Sequence, residues 1–163
     1  LKQWAYGTYK GGAEVVGDEL HFSGGKSFYL ATIETFQNFE LQFDLKTADA
    51  DRLRISYHAS IDKNRIAGTV AAVPPAESNL EGEPVEFRAG NWNRYRIRVL
   101  GDRCRVWINE RLHSDVREPK SNQRGAIGID VPGVETPKVQ IRQCRIRTLR
   151  ERLFEPEPRI ESA

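Results

Sequence analysis

Apolar and polar residues alternate along most of this chain with a period of two, and no stretch carries a convincing helical repeat. Phe39, Leu41, Phe43 and Leu45 alternate with Glu40, Gln42, Asp44 and Lys46, which predicts a strand with one face in a core and the other in water. Tyr95, Ile97 and Val99 alternate in the same way with Arg94, Arg96 and Arg98. The turn pair Gly101-Asp102 then leads into a further run over 103–109, so these two segments predict a hairpin. Other strands are expected over 13–16, 19–22 (across a Gly17-Asp18 turn), 27–32, 53–58, 69–73, 125–130 and 139–149. Short strands at this spacing predict an all-β fold, two antiparallel sheets packed face to face as a β-sandwich.

Between the strands, residues 74–90 lack periodicity, and Pro74, Pro75, Gly82, Pro84 and Gly90 keep them out of a central strand. A loop of this length is either a functional loop or a plain surface connection. After Leu149 the chain turns into a charged tail broken by Pro156 and Pro158, read as a linker or frayed end over 150–163. The remaining 1–149 is expected to form one domain, since sandwiches of this size keep a single core. The sequence starts without Met and contains none, which fits an excised domain or a mature product.

Charge narrows the function. The 163 residues carry 25 basic and 23 acidic side chains, a net charge of +2, so whole-molecule attraction to nucleic acid or to a membrane is not indicated. No apolar run approaches the roughly 20 residues needed to span a bilayer. Cys104 and Cys144 are too few for a disulfide scaffold and have no metal-ligand spacing, and buried free thiols are expected. His21, His58 and His113 also lack such spacing and are expected in turns or facing solvent; neither a metal nor another cofactor is implied. Gly24-Gly25 reads as a turn rather than a phosphate loop.

The row Arg94, Arg96, Arg98, with Arg103 and Arg105 on the paired strand, is the most distinctive chemical feature. It either faces an acidic ligand (phosphate, sulfate or acidic sugar) or is neutralised by Glu40, Gln42 and Asp44 across the sheet, and cross-strand pairing is the favoured reading. No aromatic series interleaves with it as single-stranded nucleic-acid binding would want. Alternation puts Trp107 on the face of Arg103 and Arg105, where it is a candidate sugar platform. Trp92 with Asn93 is read as an anchor for the loop before its strand.

Four stretches resemble the 3-keto-disaccharide hydrolase domain family, and together they span about residues 22–149. They are Asn38-Phe39-Glu40-Leu41-Gln42-Phe43-Asp44-Leu45; Gly90-Asn91-Trp92-Asn93-Arg94-Tyr95-Arg96-Ile97; Val106-Trp107-Ile108-Asn109; and Arg124-Gly125-Ala126-Ile127-Gly128-Ile129 followed by Val139-Gln140-Ile141-Arg142. The resemblance implies a concanavalin A-like jelly roll, sugar chemistry and a place outside the cytoplasm. Departures weaken the implied activity. The acidic strand that follows Ile55-Ser56-Tyr57-His58 in the family has no counterpart in pattern here, so it is expected to be missing or shortened. His58 stands where the family tends to have Arg, Asp130 where it tends to have Gln, Glu110 where it tends to have Gly, and Val131-Pro132-Gly133 where it often has a His-containing turn.

Candidate ligand-binding residues are therefore Trp107, His58, Tyr57, Arg94, Arg96 and Arg98, while no catalytic residue can be named. Three readings stay open: a non-catalytic module that binds carbohydrate or packs against another domain, a divergent glycoside hydrolase acting on 3-keto-glycosides, and a scaffold domain that meets a protein partner through its Arg rows.

Overall fold

The alternating runs become strands β1 (Trp4–Thr8), β2 (Gly12–Val16), β3 (Glu19–Ser23), β4 (Phe28–Thr32), β5 (Phe39–Lys46) and β6 (Arg54–Asp62). They continue as β7 (Arg65–Ala71), β8 (Trp92–Leu100), β9 (Arg103–Ile108), β10 (Arg111–Arg117), β11 (Ala126–Val131) and β12 (Val139–Thr148). The computed structural model describes residues 4–8, 12–23, 28–48, 53–62, 65–71, 85–118, 123–131 and 139–150, and among these there is no helix. A five-stranded sheet runs β1-β4-β11-β6-β7 and a seven-stranded sheet runs β10-β9-β8-β5-β12-β3-β2. All neighbours are antiparallel.

The core lies where the two sheets' apolar faces meet. β5 contributes Phe39, Leu41, Phe43 and Leu45, β8 contributes Tyr95, Ile97 and Val99, and the facing sheet supplies Ile55, Tyr57, Ile127 and Ile129. Burying each such side chain contributes roughly 1.5–3 kcal/mol. The Phe43 and Tyr95 rings, in register on β5 and β8, stack at 5.1 Å between centroids and 6° between planes.

One strand escapes the alternation rule. In β10 the register slips between Leu112 and Ser114, which leaves Leu112 exposed and buries His113, so the period of two breaks where it would have been read. β1 is a five-residue edge strand paired only with β4. The strand expected over 69–73 begins earlier, at Arg65, and forms a hairpin with β6.

Local polar contacts fix the connections. Asn93 is fully buried; its Oδ1 accepts from Arg88 N (2.9 Å) and Asn109 Nδ2 (3.0 Å), and its Nδ2 donates to Arg88 O (2.9 Å) and Asn91 O (3.0 Å). It thus ties the segment before β8 to the β9–β10 turn, as an anchoring role requires. Of the loop 74–90, residues 74–84 lie outside the described residues; Val85 and Phe87 pack on the core. The Val131-Pro132-Gly133 turn lies outside them beyond Val131, and the expected tail lies outside them beyond Arg150.

Candidate functional site

The polar positions of the central strands form a charged outer face on the seven-stranded sheet. β5 lies between β8 and β12, and its polar residues meet an arginine on each side: Glu40 is in register with Arg98 and Arg147, Gln42 with Arg96 and Arg145, Asp44 with Arg94 and Arg142. Glu40 and Asp44 are only 4% and 5% exposed, so each must be met by donors. Arg98 donates to Glu40 at 2.6 and 2.9 Å and Arg147 at 3.1 Å, while Asp44 takes Arg94 at 3.0 Å and Arg142 at 3.3 Å. Burial alone would push the Glu40 carboxyl up; the Arg98 hydrogen bonds and the Arg98 and Arg147 charges outweigh it and hold it below the ordinary range. Asp115 on β10 serves Arg103 (2.6 and 2.7 Å) and Arg105 (3.2 Å), and the Arg103 hydrogen bonds hold its carboxyl low against a smaller effect of burial.

Cross-strand neutralisation therefore accounts for Arg94, Arg98, Arg103 and Arg105, but not for Arg96. Opposite Arg96 stands Gln42, whose amide donates to Glu40 at 3.0 Å. The Arg96 guanidinium instead lies over the indole of Trp107, its register partner on β9, with Cζ 4.2 Å from the ring centroid and Arg98 Cζ at 5.7 Å. Its Nε is buried with no hydrogen-bond partner among the described residues. A small cavity of about 100 Å³ opens here, lined by Gln42, Arg94, Tyr95, Arg96, Trp107 and Glu110. Trp107, the candidate sugar platform, carries the Arg96 cation over its ring.

Sequence alternation placed Gln42 opposite the arginine row but missed Arg145 and the place of Glu110 beside Arg96. Arg142 and Arg145 reach adjacent rows only because the register shifts between them at a bulge, with Gln143 at φ 52°. The same stretch leaves Cys144 exposed, contrary to the expected burial, whereas Cys104 is buried and its thiol is pushed up to about 11 by that burial. Glu110 shares the two-residue β9–β10 turn with Asn109, at φ 67° and 48°, a conformation that suits glycine better than glutamate. Trp92, half-buried on this face, carries Arg142 Cζ 4.0 Å and Lys46 Nζ 5.8 Å from its ring centroid.

The outer face of the five-stranded sheet is different. Ser56, Ala31 and Gly128 sit there and are buried, and a Cβ on Gly128 would come within 2.7 Å of the Ile66 side chain. His58 occupies a bulge where β6 changes register with both neighbours; its φ is 50° and a Cβ on Gly125 would lie 2.3 Å from its backbone carbon. His58 Nε2 bonds Gln37 O at 2.7 Å, which makes Nε2 the protonated nitrogen and leaves Nδ1 buried without a hydrogen-bond partner among the described residues. Burial holds its pKa below the ordinary value, so the ring is neutral near pH 7 despite the opposing Gln37 bond. Asp130 is in register with Arg54; burial raises its carboxyl and the Arg54 charge opposes the rise.

One expectation fails on this sheet. Tyr57 is 1% exposed, packs edge-on against Phe39 at 6.3 Å and points into the core, so it can meet no ligand. The strand after β6, β7, has the sequence RIAGTVA and holds no carboxylate, in keeping with the absence of the acidic pattern from the sequence there. Two of the histidines differ from expectation: His113 is 5% exposed and His58 is half-buried in the bulge, while His21 lies on the outer side of β3, 2.8 Å from Glu19. No group of His, Cys, Asp or Glu among the described residues could hold a metal ion, and no helix among them is long and apolar enough to cross a membrane.

Comparison with solved structures confirms the architecture. A protein from Parabacteroides distasonis ATCC 8503, named as a candidate glycosyl hydrolase, superposes with a TM-score of 0.66 at 17% identity, covering 91% of this chain and 94% of its own. The carbohydrate-binding module CBM66 of Bacillus subtilis gives 0.62 at 10% identity, with 90% and 96% covered. The exoplasmic/lumenal domain of VIP36, in its Ca2+/Man-bound form, gives 0.65 at 10% identity, with 93% and 86% covered. At these identities the likeness is one of fold: a two-sheet, lectin-like jelly roll. No curated protein matches the chain in sequence. The profile of the 3-keto-alpha-glucoside-1,2-lyase-like domain matches residues 1–147, and the chain belongs to that carbohydrate-related family.

Proposed function

We propose that this chain is a non-catalytic, carbohydrate-binding β-sandwich module that works outside the cytoplasm. The observation that carries the reading is the placement of carboxylates on the five-stranded sheet. Among its strands only β6 and β11 bear any, Asp62 and Asp130. Asp130 is in register with Arg54, eight residues before Asp62, which is about 26 Å at roughly 3.3 Å per residue. A glycosidase pair stands about 5–9.5 Å apart. The similar structures include a carbohydrate-binding module and a mannose-bound lumenal domain, which supports both the ligand class and the compartment.

One observation favours a second reading. Elimination next to a ketone needs a base, and His58 is neutral, strained and bare at Nδ1. A glycan array together with turnover assays on 3-keto-glucosides separates the two. Binding without turnover is the expected result. Turnover that is lost in His58→Gln or Asp130→Asn overturns the non-catalytic reading. Packing against a neighbouring domain through the same faces predicts instead that no glycan is retained.

A further inference from the structure

We infer that Arg96, held over Trp107, is the anion-binding centre of a site for an acidic saccharide, where it takes a sugar carboxylate or sulfate ester. The inference rests on the carbohydrate-binding reading and narrows it.

Three rows cross the middle of the seven-stranded sheet. Two are arginine–carboxylate–arginine, through Glu40 and Asp44; the row between them is arginine–amide–arginine, Arg145, Gln42 and Arg96. Around the three rows, β8 and β12 turn out three arginines each and β9 two, against Glu40, Asp44 and Asp115, with Glu110 at the edge of the Arg96 cavity. Of the three rows, the one through Gln42 is the one that contains no acid.

Arg96 is also prepared for a planar, two-oxygen partner. Its Cζ lies 4.2 Å from the Trp107 ring centroid, its buried Nε–H has no acceptor among the described residues, and the cavity beside it admits a small group. A guanidinium oriented in this way loses little freedom when a carboxylate or sulfate binds it through two parallel hydrogen bonds. Gln42 and Glu110 line the same cavity and offer amide and carboxylate contacts to sugar hydroxyls. The face does not suit a nucleic-acid strand: its two indoles, Trp107 and Trp92, are each covered by an arginine, which leaves no run of open rings for bases.

The test is calorimetric titration of the full chain with oligogalacturonate, a sulfated galactan oligomer and a neutral galactan oligomer of equal length, at low and raised salt. At least one acidic oligomer is expected to bind tenfold or more tighter than the neutral one, and the difference shrinks with salt. Which acidic oligomer binds identifies the anion. Arg96→Gln and Arg96→Lys are each expected to lose tenfold or more, the lysine variant because it keeps charge but not the flat fork. Gln42→Glu leaves Arg96 in place, completes the third ion-paired row and is expected to lose as much. Arg117→Gln, at the far end of β10, stays within twofold. Equal binding of acidic and neutral oligomers, or acidic binding that survives both Arg96→Lys and Gln42→Glu, overturns the inference while leaving the carbohydrate module intact. Failure of all three oligomers to bind sinks the inference, and if a broad glycan array is also blank the parent reading falls with it.

Discussion

The outer face of the seven-stranded sheet is built from long charged side chains that satisfy one another, whereas that of the five-stranded sheet is built from small residues, a strained bulge and one partly buried carboxylate. On the first face, Glu40 and Asp44 are buried only because two arginines cover each of them. On the second, Gly125 and Gly128 allow a neighbouring backbone or side chain to close in. His58 and Asp130, two positions at which this chain departs from the pattern it resembles, fall on the second face, while the arginine rows fall on the first.

Gly125→Ala strikes hardest. The new Cβ would meet three backbone atoms of His58 and Ala59 between 2.3 and 2.6 Å away, none of which can swing aside. A loss of about 3 kcal/mol is expected in urea unfolding. A variant as stable as the parent would mean that the bulge is far more pliable than its geometry implies.

Glu40→Gln tests the opposite face. It leaves Arg98 and Arg147 without their shared acceptor charge, and because both arginines reach solvent the expected loss is about 2 kcal/mol, below that of a fully buried pair.

Acid titration of the folded protein sharpens the contrast. Glu40 and Asp115 have lowered folded-state values, so their stabilisation is complete above the ordinary carboxylate range and is lost as pH falls through the lowered values. Asp130 has a raised value, so its contribution runs the other way: stability is lost as pH rises from the ordinary value through the raised one. Asp130→Asn is accordingly expected to stabilise by about 0.5 kcal/mol at pH 7 and to gain nothing near pH 3, as read by thermal melts at the two values.

The smallest effect belongs to Glu110→Gly. It relieves a left-handed glutamate and gives the β9–β10 turn the Asn-Gly pair that such turns favour, for a gain of about 0.5 kcal/mol. Loss of stability would show that Glu110 makes a contact worth more than its strain.

Much of the fold was legible because period-two alternation survives in β5, β8 and β9, where one face is wholly buried. The ion pairing of Arg94 and Arg98 was legible too, since an acid lies opposite each. The bulges hid the rest. At Leu112 and at Gln143 an extra residue shifts every later side chain to the other face, so β10 was not seen and the Arg142, Arg145, Arg147 row could not be aligned. The exceptional position of Arg96 depends on three strands lying in one register, which no single stretch of sequence contains. Tyr57 misled for a simpler reason: its neighbour His58 sits in the bulge, while Tyr57 keeps the inward phase of Ile55.

The strand order carries a consequence for synthesis of the chain. β12 lies between β5 and β3, and β11 between β4 and β6, so the interior of both sheets is completed by the last two described strands. Until they leave the ribosome, β3, β4, β5 and β6 each expose a row of unmet amides and carbonyls next to apolar side chains. A nascent chain in that state is a template for mispairing with its neighbours on the polysome. Arrest of translation ahead of β11 should therefore yield chaperone-bound or aggregated product rather than a smaller folded sandwich.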